Sequence, residues 1–206
     1  MPATRSLIDE ILPDYDFGAA YETSVAAPAS VVYQHLLVSD LYASWIVRLL
    51  VSLRYGRRTP RKRAPVGLRQ RFQGSGFVIL AETPGEELVI GVAGRFWRPD
   101  GGRRLDLSAR DYVGFARSGD AKIALTFKLR PGQRQHTVLS TETRIRCFGR
   151  AAWWKFGLYW LLVRPFSGLI RKAILQHVKA EAEAAGAEDR EHGGAGAGGR
   201  DASTAR

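Results

Sequence analysis

TVLSTETRIRCFGRAAWWKFGLYWLLVRPFSGLIRKAILQHVKAEAEAA, residues 137–185, carries two different periods back to back. Up to Phe148 the side chains alternate. Leu139, Thr141, Thr143, Ile145 and Cys147 fall on one side and Ser140, Glu142, Arg144 and Arg146 on the other, the two-residue repeat of a half-buried strand. The first set is expected to point inward, and the Glu142 and Arg144 pair is expected on the wet face, where it contributes little. After Gly149 the repeat becomes helical and holds to about Ala185. In the second half Phe166, Leu169, Ile170, Ala173, Ile174, His177 and Val178 form one stripe, with Arg171, Lys172, Gln176 and Lys179 elsewhere around the wheel, so one side faces a core. The first half, residues 153–163, has almost no polar face and is expected to be buried all round or to touch something apolar. Pro165 cannot donate its backbone hydrogen bond and crowds the carbonyl of Leu161, so a kink or break is expected between the halves.

Upstream, residues 77–83, 87–96 and 121–129 read as strands, separated by Pro84-Gly85, Asp100-Gly101-Gly102 and Gly119-Asp120. Ile123, Leu125, Phe127 and Leu129 alternate with Lys122, Thr126 and Lys128, the pattern of an antiparallel sheet with one face covered. Residues 20–26 alternate likewise and form the first strand. Pro28 then suits a helix start, with Val31, Val32, His35 and Leu36 at helical spacing. Ser39 or Asp40 can cap a second helix bearing Leu41, Trp45, Ile46, Leu49, Leu50 and Leu53, followed by a loop over residues 57–65. The expected class is α+β: a curved antiparallel sheet of about six or seven strands wrapped on a long C-terminal helix, with two short helices after the first strand. Residues 1–14 are read as an N-terminal extension, 15–185 as the domain, and 186–206, without an aliphatic larger than Ala, as a disordered tail.

A chain of 206 residues with 45% apolar content suits one core. One cysteine, Cys147, rules out an intramolecular disulfide, and one Cys with four scattered His gives no zinc-ligand spacing, so neither metal nor cofactor is expected. The N-terminus lacks a signal-like apolar run, and no stretch approaches the roughly 18 apolar residues of a membrane span. A cytoplasmic location, with peripheral contact at a membrane, is the expectation.

The formal net charge is +11, and it is unevenly spread. Residues 41–81 hold nine cations and no acid. Arg54, Arg57, Arg58, Arg61, Lys62 and Arg63 are the candidates for contact with an anionic surface. Only Tyr55 and Phe72 stand near them as stacking aromatics, which disfavours nucleic acid as the partner. Oligomeric state is not legible.

The order strand, two helices, antiparallel sheet and closing helix resembles the START-like, helix-grip superfamily in its polyketide cyclase/dehydrase and lipid-transport branch. The likeness spans residues 15–185 and rests on the opening strand with Ala27-Pro28-Ala29-Ser30-Val31-Val32-Tyr33, on residues 91–99 (GVAGRFWRP) and on Thr141-Glu142-Thr143-Arg144-Ile145. The resemblance implies an apolar cavity between the concave sheet face and the long helix, and leaves the reaction, if any, open. Trp45, Phe96, Trp97, Phe115, Trp153, Tyr159 and Trp160 are its candidate aromatic lining. Thr141 and Thr143 are candidate hydroxyls for a bound carbonyl or alcohol, and His177, on the apolar stripe, a candidate acid or base. No catalytic signature is present. The function read first is binding or carriage of an apolar small molecule or lipid. A cyclase/dehydrase-like enzyme is the second reading, and an anionic-surface or nucleic-acid module using the Arg-rich loop the third.

Overall fold

The structure is a computed structural model that describes residues 5–38, 77–98, 103–133 and 136–195. Ten elements follow one another: α1 (Leu7–Ile11), β1 (Phe17–Val25), α2 (Ala29–Val38), β2 (Val78–Thr83), β3 (Glu87–Arg95), β4 (Arg103–Leu105), α3 (Ala109–Gly114), β5 (Ala121–Pro131), β6 (Thr137–Cys147) and α4 (Arg150–Ala195). The second short helix expected after β1, with Trp45, and the Arg-rich loop lie outside the described residues.

The strands form one six-stranded sheet in the order β1-β6-β5-β3-β2, with β4 also paired to β3, and every pairing is antiparallel. The long β5–β6 hairpin and the return of β1 beside β6 fix the register at its centre. Tyr21 stands opposite Thr141 and Ala19 opposite Thr143, while on the other side Phe127 faces Thr141 and Leu125 faces Thr143. Directly paired residues share a face, so this row of side chains lines the side of the sheet on which α4 lies. Gly149, at φ 93°, turns the chain from β6 into α4, a left-handed conformation that a residue with a Cβ rarely adopts. The C-terminal half of α4 is latched to the end of β1: Glu183 accepts from the Ala26 backbone N–H at 2.7 Å, and Lys179 donates to the Ser24 carbonyl at 2.7 Å. This is the helix-grip arrangement.

Three observations depart from expectation. The first concerns the face expected to be wet. It is largely covered, because α1 packs on it through Ile8 and Leu12 against Val89 and Ala124, and β3 is buried on both sides from Glu87 to Gly94. Arg144 is therefore on the face the alternation gives it, but buried, donating to Asp9 at 2.6 Å, Glu142 at 2.7 Å and the Leu12 carbonyl at 3.2 Å. The second is that Pro165 sits inside one continuous α4. It lies on the exposed flank, where water can take the carbonyl it frees. The third is that α4 runs on to Ala195, through an Ala- and Glu-rich stretch of high helix propensity.

Candidate functional site: the groove between sheet and long helix

Two hydrophobic clusters, both touched by Phe77, pack the concave face. One cluster joins Val25, Val32, Leu36, Leu88, Phe127 and Leu139 to Leu175, Val178 and Ala182 of α4. The other joins Val92, Phe96, Ile145 and Cys147 to Ala152 and Phe156 of α4, with Trp97, Tyr159 and Trp160 packed against it. Among the described residues, nothing on α4 between Trp160 and Ile174 belongs to either cluster. On β6 the same break falls between Leu139 and Ile145, at Thr141 and Thr143. On β5 the apolar surface runs through, with Phe127 and Leu125 beside Thr141 and Thr143, so the interruption is confined to β6 and the facing part of α4, where small and polar side chains stand.

Both threonines are buried, and neither hydroxyl has a hydrogen-bond partner among the described residues. Across from them, Gly168 of α4 lies so close to Tyr21 that a Cβ there would be 2.5 Å from the Tyr21 hydroxyl oxygen. Arg171, three residues on, is half-buried as a residue, yet its Nη1 is sealed from solvent and unpartnered. Burial lowers the Arg171 guanidinium to about 10, offset in part by neighbouring Tyr21, so it stays charged at neutral pH. A buried donor without an acceptor costs about 1–3 kcal/mol, more when charged. Three such groups in one stretch form a polar centre that the fold itself does not satisfy.

The remaining candidates distribute as follows. Phe96 is buried in the second cluster, with Trp97 edge-on to Phe156 at 6.1 Å and Trp160 stacked on it at 6.1 Å. Tyr159 packs on the same ring at 5.6 Å. Trp153 touches Phe17 at 5.5 Å and is partly exposed. Phe115 packs edge-on against Phe148 at 5.8 Å, beside Lys122 and away from the groove. His177 places Nε2 3.2 Å from Glu181 Oε1 without hydrogen-bond alignment, one turn beyond the polar stretch. The Cys147 thiol is pushed up to about 12 by burial and then by Asp16, so it is no nucleophile at neutral pH. Among the described residues no group of His, Cys, Asp or Glu is placed to hold a metal ion.

Arg171, Tyr21 and Gly168 are the site residues that periodicity alone did not select. Arg171 carries a legible signal in retrospect, since it stands three residues after buried Gly168 and four before buried Leu175, the spacing of one helix face. On the convex side, a cleft of about 420 Å³ is lined by Asp9, Glu142, Arg144 and Lys128 among others. Arg144 is paired there with Asp9 and Glu142, and Glu87 accepts from Ser6 and Thr126, which makes the cleft a seam of the fold.

Outside the groove, α4 exposes an apolar stripe. Trp154, Leu158, Leu161 and Leu162 are 63%, 69%, 76% and 69% exposed, and Phe166 and Leu169 extend the row. Exposed Arg150, Lys155, Arg164 and Lys172 stand around it, and no acidic residue occurs between Glu142 and Glu181. The expectation that this segment is either buried all round or against something apolar resolves in two faces: Ala152 and Phe156 are buried, and the opposite face is open. No helix among the described residues is long and apolar enough to cross a membrane.

The fold and this groove define a helix-grip protein with a polar centre between two apolar cores. No family model matches the chain, and no curated protein is significantly similar to it. Solved structures with a similar course of chain include a hypothetical protein of Helicobacter pylori (14% identical, covering 88% of this chain and 97% of that one, TM-score 0.41) and protein CV1439 of Chromobacterium violaceum (14%, 82% and 99%, 0.35). The Zhui aromatase/cyclase of a Streptomyces species is another (14%, 81% and 93%, 0.29). At these identities and scores the fold assignment rests on the strand order and register of the chain itself.

Proposed function

We propose that the protein binds and carries an apolar small molecule or lipid in the groove between the sheet and α4, and that it does so at an anionic membrane surface. The observation that carries the reading is the interruption of the core on β6 and α4: three polar atoms, Thr141 Oγ1, Thr143 Oγ1 and Arg171 Nη1, are sealed from solvent with no partner among the described residues, an arrangement costly to the empty protein and suited to a ligand that is mostly apolar with a few polar contacts. The surface part rests on the α4 stripe. A helix with exposed Trp and Leu on one flank and cations around it suits the boundary between headgroups and acyl chains, and each cation near an anionic leaflet is worth about 1 kcal/mol. The Streptomyces aromatase/cyclase shares the course of the chain, and an enzyme of that kind is the second reading. Against it stand the raised Cys147 thiol and a His177 placed beyond the polar centre.

Native mass spectrometry of the protein purified from its own host tests the carriage reading. An adduct of roughly a few hundred daltons that organic solvent removes is the expected result, and an adduct-free spectrum together with failure to bind any apolar fluorophore defeats it. Co-sedimentation with vesicles tests the surface reading. Binding to phosphatidylserine-containing but not neutral vesicles, lost on changing Leu158, Leu161 and Leu162 to Ser, is expected. Equal recovery in the supernatant with both vesicle types removes the membrane from the proposal.

A further inference from the structure

We infer that the ligand is an apolar carboxylic acid, and that Arg171 receives its carboxylate in the middle of the groove, with the Thr141 and Thr143 hydroxyls at the same break. This rests on the reading of the groove as a ligand site and specifies the class of molecule. The argument begins with charge. Arg171 is a cation at neutral pH, its Nη1 lies out of reach of water, and nothing among the described residues accepts from that nitrogen. Acids on the neighbouring elements are engaged elsewhere. Glu183 binds the Ala26 N–H and Lys179, Glu181 lies against His177 and His35, and Glu22 is paired with Arg130. Helix α4 has no acid before Glu181. A guanidinium edge sealed from water without an acceptor is unfavourable even where the rest of the side chain is half-exposed, and it is stabilised when an anion enters with its ligand.

Shape supports the same choice. The guanidinium fork matches the two oxygens of a carboxylate, and a charge-assisted bond made away from water is stronger than one to a neutral carbonyl. Tyr21 stands beside Arg171 on the β1 side. Its hydroxyl lies against Gly168, where the absence of a side chain lets β1 and α4 approach, and its ring lies under Lys172 Nζ at 5.7 Å. The apolar clusters on either side, one including Leu125 and Ile174 and the other Ile123 and Trp160, offer apolar surface to the body of such an acid.

The test compares 11-(dansylamino)undecanoic acid with its methyl ester by fluorescence titration of the full chain. The ester keeps the apolar body and removes the charge. On the unaltered protein the acid is expected to bind at least about tenfold more tightly than the ester. In Arg171→Met the two are expected to bind alike, with ester affinity held within about threefold, since Met replaces the apolar stem of the arginine. Thermal melts of R171M establish that the variant is folded. The comparison on the unaltered protein needs no variant, so the inference stays testable if R171M fails to fold. Binding of neither compound defeats the underlying reading of the groove. Equal binding of both to the unaltered protein leaves that reading standing and overturns the inference. A preference for the acid that persists in folded R171M overturns the assignment to Arg171.

Discussion

Arg144 shows how much one covering helix changes the meaning of a residue. Alternation along β6 places it away from the groove, which is correct, but α1 then buries it, and its guanidinium is satisfied by Asp9, Glu142, the Leu12 carbonyl and the ring of Tyr15 at 5.0 Å. Removing it leaves the buried Leu12 carbonyl without its donor and strips the packing under α1, while the more exposed Asp9 and Glu142 carboxylates turn to water, so Arg144→Ala should destabilise the domain by about 1–3 kcal/mol in urea unfolding; a loss within error would mean α1 is not docked. The Arg144 guanidinium beside Asp9 holds that carboxyl below its ordinary value of 3.8. A depressed folded value means the stabilisation is full above the unfolded value and is lost as pH falls below about 4. The stability of Asp9→Asn should therefore change less between pH 5 and pH 3 than that of the unaltered protein. Cys147, buried and with its thiol pushed up to about 12, should react with a disulfide reagent at pH 8 only on the timescale of unfolding, while the denatured chain reacts at once. At this scale the sequence shows what the period shows. Thr141 and Thr143 fall inward as their alternation requires, whereas Arg171 was set on the wet side of the helical wheel because a cation in an apolar stripe is usually surface. Only the packing of Gly168 and Leu175 on the same face places it inside.

Helix α4 is the element most legible in the sequence and also the one whose two halves do different work. Its C-terminal half reads as a stripe of Phe166, Leu169, Ile170, Ala173, Ile174, His177 and Val178, but only Val178 of these is buried and Phe166 and Leu169 are exposed; the buried face is turned slightly and runs through Gly168, Leu175, Val178 and Ala182. The N-terminal half was ambiguous, because a segment apolar all round has no moment to indicate which side is wet. The sheet settles the matter by taking Ala152 and Phe156 and leaving Trp154 and Leu158 outside. Gly168 sets how closely this helix approaches β1. Gly168→Ala should place its methyl 2.5 Å from the Tyr21 hydroxyl oxygen, which forces the ring or the helix to move and should cost about 1–3 kcal/mol despite the gain in helix propensity. Tyr21→Phe removes the oxygen that clashes, so the double variant should recover most of the loss in a double-mutant cycle. If G168A is as stable as the unaltered chain, helix and strand are not in contact at this point. Helix α1 was not legible, since five residues, Leu7–Ile11, are too few to show a helical period and are held by tertiary packing.

For the molecule as a whole, the fold was legible because strand and helix periods are strong and sit in a distinctive order, while the polar centre of the groove was not, because it depends on which side chains meet across residues far apart in the chain. Thr141 pairs with Tyr21 at a separation no local pattern encodes. The central break has a consequence for stability that an ordinary core would not show. Thr141 and Thr143 hold buried hydroxyls without partners, and valine has nearly the same shape without the desolvated oxygen. Thr141→Val and Thr143→Val should each stabilise the empty protein by about 1 kcal/mol, which raises the melting temperature by about 2–4 °C for a domain of this size. The same variants should show a smaller rise in melting temperature than the unaltered protein when dodecanoate is added, because a ligand stabilises the native state in proportion to how far its concentration exceeds Kd. A site kept at the expense of folding stability gives this pair of opposite effects. Differential scanning calorimetry with and without dodecanoate measures both at once. A fall in the melting temperature of the empty variants would mean that the hydroxyls stabilise the fold, and would turn the centre of the groove back into plain core.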